Sequence, residues 1–336
     1  MLIIFMKILL TGATGFLGYR TLEKIVNLSY VHKVIATGRT IKLTHRINHP
    51  KVEYILGDLL EEHFVTSLVS KVDVIIHTAA LSSPWGKQKD FYNTNVTIQK
   101  HLINAAVNFK INRIIYISTP SIYFELKDKL DISEDDPLPK KFINQYAHTK
   151  HLAEKMLKNG SIPYVIFRPR ALIGRGDTII MPRLIRAFDN GKLKIIGHGK
   201  NIVDLTYVGN VVDAIVLSLK TTKGINQVYN ISNGEPVKLW DSISYVLKKL
   251  DKNLSPKKVP FILVKNVAKL MEYKSKMTNM NEPVLTTYGV GTLTKSFTLN
   301  IEKAKNLLNY NPTTTTKEAI DEFVSWYLLQ NENEKS

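Results

Sequence analysis

The stretch Lys7-Ile8-Leu9-Leu10-Thr11-Gly12-Ala13-Thr14-Gly15-Phe16-Leu17-Gly18 decides the fold. A run of β-favouring apolar residues breaks into three glycines spaced G-x-x-G-x-x-G. A helical pattern follows, carried by Leu17, Thr21, Leu22, Ile25, Val26 and Leu28. Strand, glycine-rich turn and helix come in the order a dinucleotide-binding fingerprint needs. Gly12 permits the tight turn, Gly15 lets the backbone approach a pyrophosphate, and Gly18 lets helix and strand pack closely. Free N–H groups and the positive end of the helix dipole then face the phosphates. A glycine triplet alone also fits an ordinary turn, so the reading depends on what surrounds it.

Outward from that turn, Lys33–Thr37 reads as a second strand ending in Gly38-Arg39-Thr40. An acid at this place would accept hydrogen bonds from the adenosine ribose hydroxyls of NAD. Arginine suits a 2′-phosphate instead, by charge and by a planar fork, which favours NADP(H) with NAD as the alternative. Val52–Leu56 is a third strand, followed by Gly57-Asp58-Leu59, and Val72–His77 a fourth. The small residues Thr78, Ala79 and Ala80 after it leave room beside a cofactor. His77 has no partner motif and reads as a packed strand-end histidine. Asn95–Phe109 has helical spacing and Arg113–Ile117 is a fifth buried strand. Strands alternating with helices at this rhythm predict a doubly wound parallel sheet, an α/β Rossmann fold, with ligands at the carboxyl ends of its strands.

The fifth strand finishes in Ser118-Thr119-Pro120-Ser121-Ile122-Tyr123, and an acidic, proline-broken loop is expected over 131–139. A helix then carries Tyr146-Ala147-His148-Thr149-Lys150. Tyrosine and lysine four apart share one helical face. A lysine held there favours tyrosinate, so a phenol can exchange a proton near neutral pH. A hydroxyl at the end of strand five can hold the substrate oxygen beside it. Tyr-x-x-x-Lys is common on ordinary helix surfaces; the glycine-rich turn and the Ser/Thr strand end give it weight here.

Composition bounds the partners. The 336 residues suffice for one large α/β domain and a smaller one, and 44% apolar content is that of a globular protein. There is no cysteine, which excludes disulfides and thiolate metal sites and favours a reducing, cytoplasmic setting; no metal is expected. Forty-six Lys and Arg against 29 Asp and Glu give a net charge of +17. A field of that sign attracts phosphates, acidic carriers or anionic lipid. The basic residues are scattered without the aromatic interleaving of a nucleic-acid surface, so no nucleic acid is expected. The apolar opening Met1–Phe5 runs into the first strand without a charged lead or cleavage site. Residues 1–5 are either an extension of that strand or an upstream start before Met6-Lys7.

Taken together, TGATGFLG (11–18), HTAA (77–80), STPSIY (118–123), YAHTK (146–150), FRPRALIGRGD (167–177) and VDLTYVGNVVDA (203–214) resemble the extended short-chain dehydrogenases/reductases, the NAD(P)-dependent epimerase/dehydratase group. ALSSPWG (80–86) and the run from Glu282 to Pro312 are similar to its 3β-hydroxysteroid dehydrogenase-like branch, which includes bacterial 2-alkyl-3-oxoalkanoate reductases. The resemblance implies Tyr146 as acid/base, Lys150 as holder of the nicotinamide ribose, and Thr119 as the catalytic hydroxyl with Ser118 as near alternative. It also implies Gly12, Thr14, Gly15 and Gly18 around the pyrophosphate, capped by Phe16 and Leu17. Asp58 and Leu59 would border the adenine, and Pro169, Arg170, Ala171 and Leu172 the nicotinamide.

Two departures narrow the substrate. A dehydratase of this group has an Asp-Glu pair after the strand-five threonine, where this chain has Pro120-Ser121. Sugar-nucleotide members tend to carry arginine where Val203 stands, and valine cannot pair with a diphosphate. Both move the expectation toward a hydrophobic or acyl-type carbonyl substrate, interconverted with its secondary alcohol. The rivals are a nucleotide-sugar epimerase with the same residues, and a non-catalytic cofactor-binding regulator.

The nucleotide-binding domain is expected over 1–169, with returning segments near 205–231. A smaller C-terminal α/β substrate region covers 170–204 and 232–330. Within it, 259–277 combines apolar residues with Lys265, Lys269, Lys274 and Lys276 and predicts an amphipathic helix. A packed helix, a lid over an apolar substrate and a peripheral membrane contact are its three readings. A homodimer is a further possibility.

Overall fold

The computed structural model describes residues 5–41, 46–253, 257–278 and 280–333. The expected extension at residues 1–4 lies outside them, and Phe5 precedes the first strand as an exposed side chain. In chain order the first half runs β1 (Met6–Thr11), α1 (Phe16–Ile25), β2 (Val31–Thr37), β3 (Val52–Tyr54), α2 (Glu62–Val69), β4 (Val74–His77), α3 (Gln88–Tyr92), α4 (Ile98–Asn108), β5 (Arg113–Ile117), β6 (Lys129–Ile132), α5 (Gln145–Lys158) and β7 (Tyr164–Pro169). There follow β8 (Leu172–Ile173), α6 (Ile180–Asp189), β9 (Ile195–Ile196), β10 (Ile202–Val203), β11 (Thr206–Tyr207), α7 (Val208–Lys220), β12 (Gln227–Ile231) and β13 (Val237–Lys238). The chain closes with α8 (Leu239–Lys249), β14 (Lys258–Val259), α9 (Phe261–Met277), α10 (Thr287–Thr294), β15 (Phe297–Leu299), α11 (Glu302–Leu308) and α12 (Thr316–Asn333).

Seven parallel strands form one sheet in the order β12-β7-β5-β4-β1-β2-β3. β1 is buried along Ile8, Leu9 and Leu10, and β4 along Val74, Ile75 and Ile76, as strands covered on both faces must be. Leu17, Leu22 and Ile25 of α1 pack on one face with Val208, Val211 and Ile215 of α7. Val65 and Leu68 of α2, Leu102 of α4, and Ala153 and Leu157 of α5 cover the other. The chain moves outward from β1 to β3, then returns to the other side of β1 at β4. That reversal opens a crevice at the carboxyl ends of β1 and β4, where open α/β sheets bind ligands.

A four-stranded sheet, β13-β10-β15-β6, stands beside it. Its β6 departs from the sequence reading: Lys129–Ile132 pairs in parallel with β15, so the expected acidic loop begins as a strand. The hydrogen bond from Asp131 N to Thr298 Oγ1 (2.8 Å) holds that edge, which no periodicity in so short a polar segment signals. Val203 is buried between β13 and β15 among Ile173, Met181 and Leu205, as a core residue.

Candidate active site

The glycine-rich turn is built as its spacing requires. Gly12 has φ +70°, and a β-carbon there would lie 2.7 Å from Ala79 N and 2.8 Å from Thr78 Oγ1. At Gly18 a β-carbon would fall 2.0 Å from Gly12 O, so helix and turn touch backbone to backbone. Gly15 is exposed, and α1 begins directly after it. The first-turn N–H groups of Phe16 and Leu17 have no acceptor among the described residues, leaving the cradle an anion needs. The two side chains differ: Phe16 is half-buried beside Gly176, whereas Leu17 is turned into the core. Thr14 touches the end of β2 at Gly38, and Arg39 follows there with its side chain exposed. Asp58, four residues beyond β3, which ends at Tyr54 rather than at the expected Leu56, accepts from Leu60 N at 3.0 Å, while the Leu59 side chain packs into the core.

At the end of β4, Thr78 donates to Thr11 O at 2.7 Å, and Ala79 and Ala80 are half-buried. His77 is buried, bonded through Nδ1 to Thr11 Oγ1 at 2.6 Å and stacked on Tyr116. Burial, then the nearby Lys150, push its pKa down to about 3, which keeps the imidazole neutral. It is a packed histidine, as its isolation in sequence predicts.

Tyr146 and Lys150 lie one turn apart on α5, capped by Asn144 Oδ1 accepting from Ala147 N at 2.9 Å. Burial raises the pKa of the Tyr146 phenol on balance, against the opposing pull of the nearby Ser82 and Thr119 hydroxyls. Thr119 is buried, accepts from Ser121 N at 3.2 Å and donates to Ser121 Oγ at 3.1 Å. Ser121 Oγ in turn pairs with Tyr288 OH at 2.9 Å. Ser118, the alternative to Thr119, is buried, and its hydroxyl has no hydrogen-bond partner among the described residues. The site therefore holds a chain of hydroxyls, Thr119, Ser121 and Tyr288, with the Tyr146 phenol and Ser82 beside it.

Lys150 is buried at the end of β5. Its Nζ donates to Ile117 O at 2.5 Å and sits 4.1 Å from the centre of the Tyr116 ring. Burial depresses its own pKa to about 7 against the opposing pull of Glu154. Pro169 is buried at the end of β7, Ala171 takes φ +42°, and Leu172 opens β8.

Ser82, Tyr288, Asn95 and the Glu154–Arg168 pair escaped assignment from sequence. Asn95 lies in a π-helical turn (Asn93–Thr97) before α4, accepts from Leu81 N at 2.8 Å and donates to Thr149 Oγ1 at 3.1 Å. That clamp brings Ser82 to α5, and such turns recur at functional sites. Arg168 is bidentate to Glu154, with Nε–Oε1 2.9 Å and Nη2–Oε2 2.5 Å. Burial would raise the Glu154 carboxyl, but Arg168 holds it below its usual value. The ALSSPWG motif held the only signal for Ser82.

The chain that builds this hydroxyl–phenol site beside a glycine-rich cradle matches a family model. The model is that of the NAD dependent epimerase/dehydratase family, over residues 8–232. The chain belongs to this family. It is 28% identical to the 2-alkyl-3-oxoalkanoate reductase of Shewanella oneidensis, over 92% of this chain and 83% of that protein. With the 3beta-hydroxysteroid-dehydrogenase/decarboxylase isoform 1 of Arabidopsis thaliana it shares 31%, over 92% of this chain and 77% of that one. Among solved structures, the UDP-glucuronic acid 4-epimerase of Bacillus cereus in complex with NAD superposes with a TM-score of 0.75 at 26% identity. That match covers 97% of this chain and 99% of that chain. Among the described residues of this family member, no group of three or more His, Cys, Asp or Glu is placed to hold a metal.

Proposed function

We propose that this epimerase/dehydratase-family protein is an oxidoreductase. It interconverts a ketone and a secondary alcohol on a hydrophobic substrate of 3-oxoacyl or sterol-like kind. The observation that carries this reading is Tyr146 and Lys150 one turn apart on α5, with the phenol near the Ser82 and Thr119 hydroxyls that follow β4 and β5. The Phe16 and Leu17 N–H groups and the open Gly15 fit a dinucleotide pyrophosphate, and Arg39 fits a 2′-phosphate, so NADP(H) is the preferred cofactor. When bound, it supplies the hydride. Tyr146 gives its proton to the carbonyl oxygen during reduction and takes it back during oxidation, while Thr119 and Ser82 orient that oxygen. Lys150 holds the nicotinamide ribose. A positioned proton donor of this kind contributes about 10²–10⁴-fold.

An apolar substrate is favoured by the surroundings. Tyr288 packs edge-on against Phe124 at 5.5 Å, next to Phe297, Phe142 and Ile122. Pro120 and Ser121 are buried and bring no carboxylate to the hydroxyl chain. The likeness to the Bacillus cereus epimerase supports a second reading, epimerisation of a sugar nucleotide by the same residues.

The deciding experiment is a binding and turnover series with NADPH, running 3-oxoacyl compounds of increasing length and sterols against UDP- and dTDP-sugars. Each added methylene should gain about 0.8 kcal/mol until the pocket is full. Tyr146→Phe should keep cofactor affinity and lose most turnover. Saturable, tight UDP-sugar binding would restore the epimerase, and full activity in Tyr146→Phe would remove the mechanism.

A further inference from the structure

The inner face of α9 is accounted for by packing. Ala268 is buried among Ile196, Val290, Leu285 and Leu293, with Phe261 and Val264 beside it. Glu272 receives Thr287 N at 2.6 Å and Thr287 Oγ1 at 2.8 Å, and Trp85 Nε1 donates to Ser275 Oγ at 3.0 Å. Thr287 precedes Tyr288, so the back of α9 is fastened one residue from the hydroxyl chain of the site. The outer face is different. Ile262, Leu263, Leu270, Tyr273 and Met277 are between 59 and 72% exposed, and Val267 is 42% exposed. Positions 263, 267, 270, 273 and 277 fall on one side of a helix, giving an apolar stripe about 21 Å long. Scattered exposed apolar residues need no explanation; a contiguous stripe does.

Charge selects what covers it. Lys269 and Lys276 flank the stripe, Lys274 stands near its C-terminal end, and Lys257 and Lys258 precede the helix. Asn266 and Lys274 are its polar interruptions. The acid within the helix, Glu272, is turned inward to Thr287, and the next, Glu282, is paired with Arg183. Lys269 and Lys274 have no ion-pair partner among the described residues. Two copies meeting on this face would set lysine against lysine, on a chain of net charge +17. An anionic bilayer surface instead takes the apolar stripe below its headgroups while lysine stems carry their ammonium groups to the phosphates.

We infer that the outer face of α9 docks this protein in the plane of an anionic lipid surface, with the hydroxyl chain of the site behind the docked helix. The inference is independent of the proposed chemistry, because lipid binding is read without turnover. Co-sedimentation with phosphatidylglycerol-rich vesicles, against pure phosphatidylcholine, should show binding that weakens as salt rises. Leu263→Glu with Leu270→Glu should weaken it roughly tenfold or more while leaving circular dichroism unchanged. The chain has no cysteine, so Met277→Cys carries a unique environment-sensitive dye. Its emission should rise on these vesicles and be quenched from within the bilayer, unlike a dye at Lys248→Cys on α8. Three results would overturn the inference. One is no binding at low salt. Another is binding indifferent to the leucine substitutions, the adsorption of any basic protein. The third is a dimer in solution, or a complex with an acidic protein, that those substitutions dissolve.

Discussion

Lys150 shows how one residue's surroundings set what the spacing of a motif leaves open. The spacing from Tyr146 was legible because a helix fixes it. The direction of the ammonium was not, because Ile117 O and the Tyr116 ring come from β5. The result is a buried lysine whose pKa falls from 10.5 to about 7, desolvation being the main cause. Between about pH 7 and the unfolded value the folded chain binds fewer protons at this site than the unfolded one, so stability rises with pH across that window. Below about pH 7 the penalty is fully present, up to ~4–5 kcal/mol. Lys150→Met should remove this slope and leave the variant relatively more stable toward neutral pH. Urea unfolding of both proteins at a series of pH values checks it. Parallel curves would mean that the amine is not desolvated. The hydroxyls of Ser82 and Tyr288 were illegible for the same reason as the ammonium's direction: they reach Tyr146 and Ser121 from segments far away in sequence.

α5 carries both motif residues, and its place depends on an ion pair that no local pattern announces. Glu154 is buried against Arg168 on β7, and Arg168 also holds the Tyr123 hydroxyl. The strands of the main sheet were readable because each is an apolar run between turn residues; β2 begins two residues earlier than expected and β4 two later. β6, β10 and β15 were not, since strands of two to four residues leave no period to read. The Asn95 turn was hidden inside a continuous helical pattern. Removing one partner of a buried pair strands the other's charge, at a cost of about 3–5 kcal/mol. Glu154→Gln should therefore lower unfolding free energy by roughly that amount and loosen the Tyr146 helix. Replacing both, with Glu154→Leu and Arg168→Met, should recover most of the loss, because an apolar pair of similar volume avoids desolvation. Equal losses in the single and double variants would show that the pair contributes through packing alone.

At the scale of the whole molecule, the proposed cofactor site is assembled from the ends of β1, β2, β4 and β5 and the side of α5, so a bound cofactor ties the two halves of the sheet together. Anything that binds the folded chain and not the unfolded one raises stability by RT ln(1 + [L]/Kd), ~2.7 kcal/mol at a hundred times Kd. Melting temperature is then a measure of cofactor choice that needs no substrate. Arg39 stands exposed after Gly38, with no partner among the described residues and with the field of a +17 chain around it. A 2′-phosphate there gains a charge-assisted, bidentate hydrogen bond that a 2′-hydroxyl does not. NADP(H) should raise the melting temperature more than NAD(H) at equal concentration, by a few degrees, and the difference should shrink as salt screens the exposed contact. Arg39→Asp should reverse the order, since a carboxylate repels the phosphate and accepts from ribose hydroxyls. The substitution lies on an exposed side chain, so the melting temperature without cofactor should stay within about a degree of the parent. A parent protein already stabilised more by NAD(H), or an Arg39→Asp variant with the parent's order intact, would show that Arg39 stays in solvent and that the adenosine end is read elsewhere.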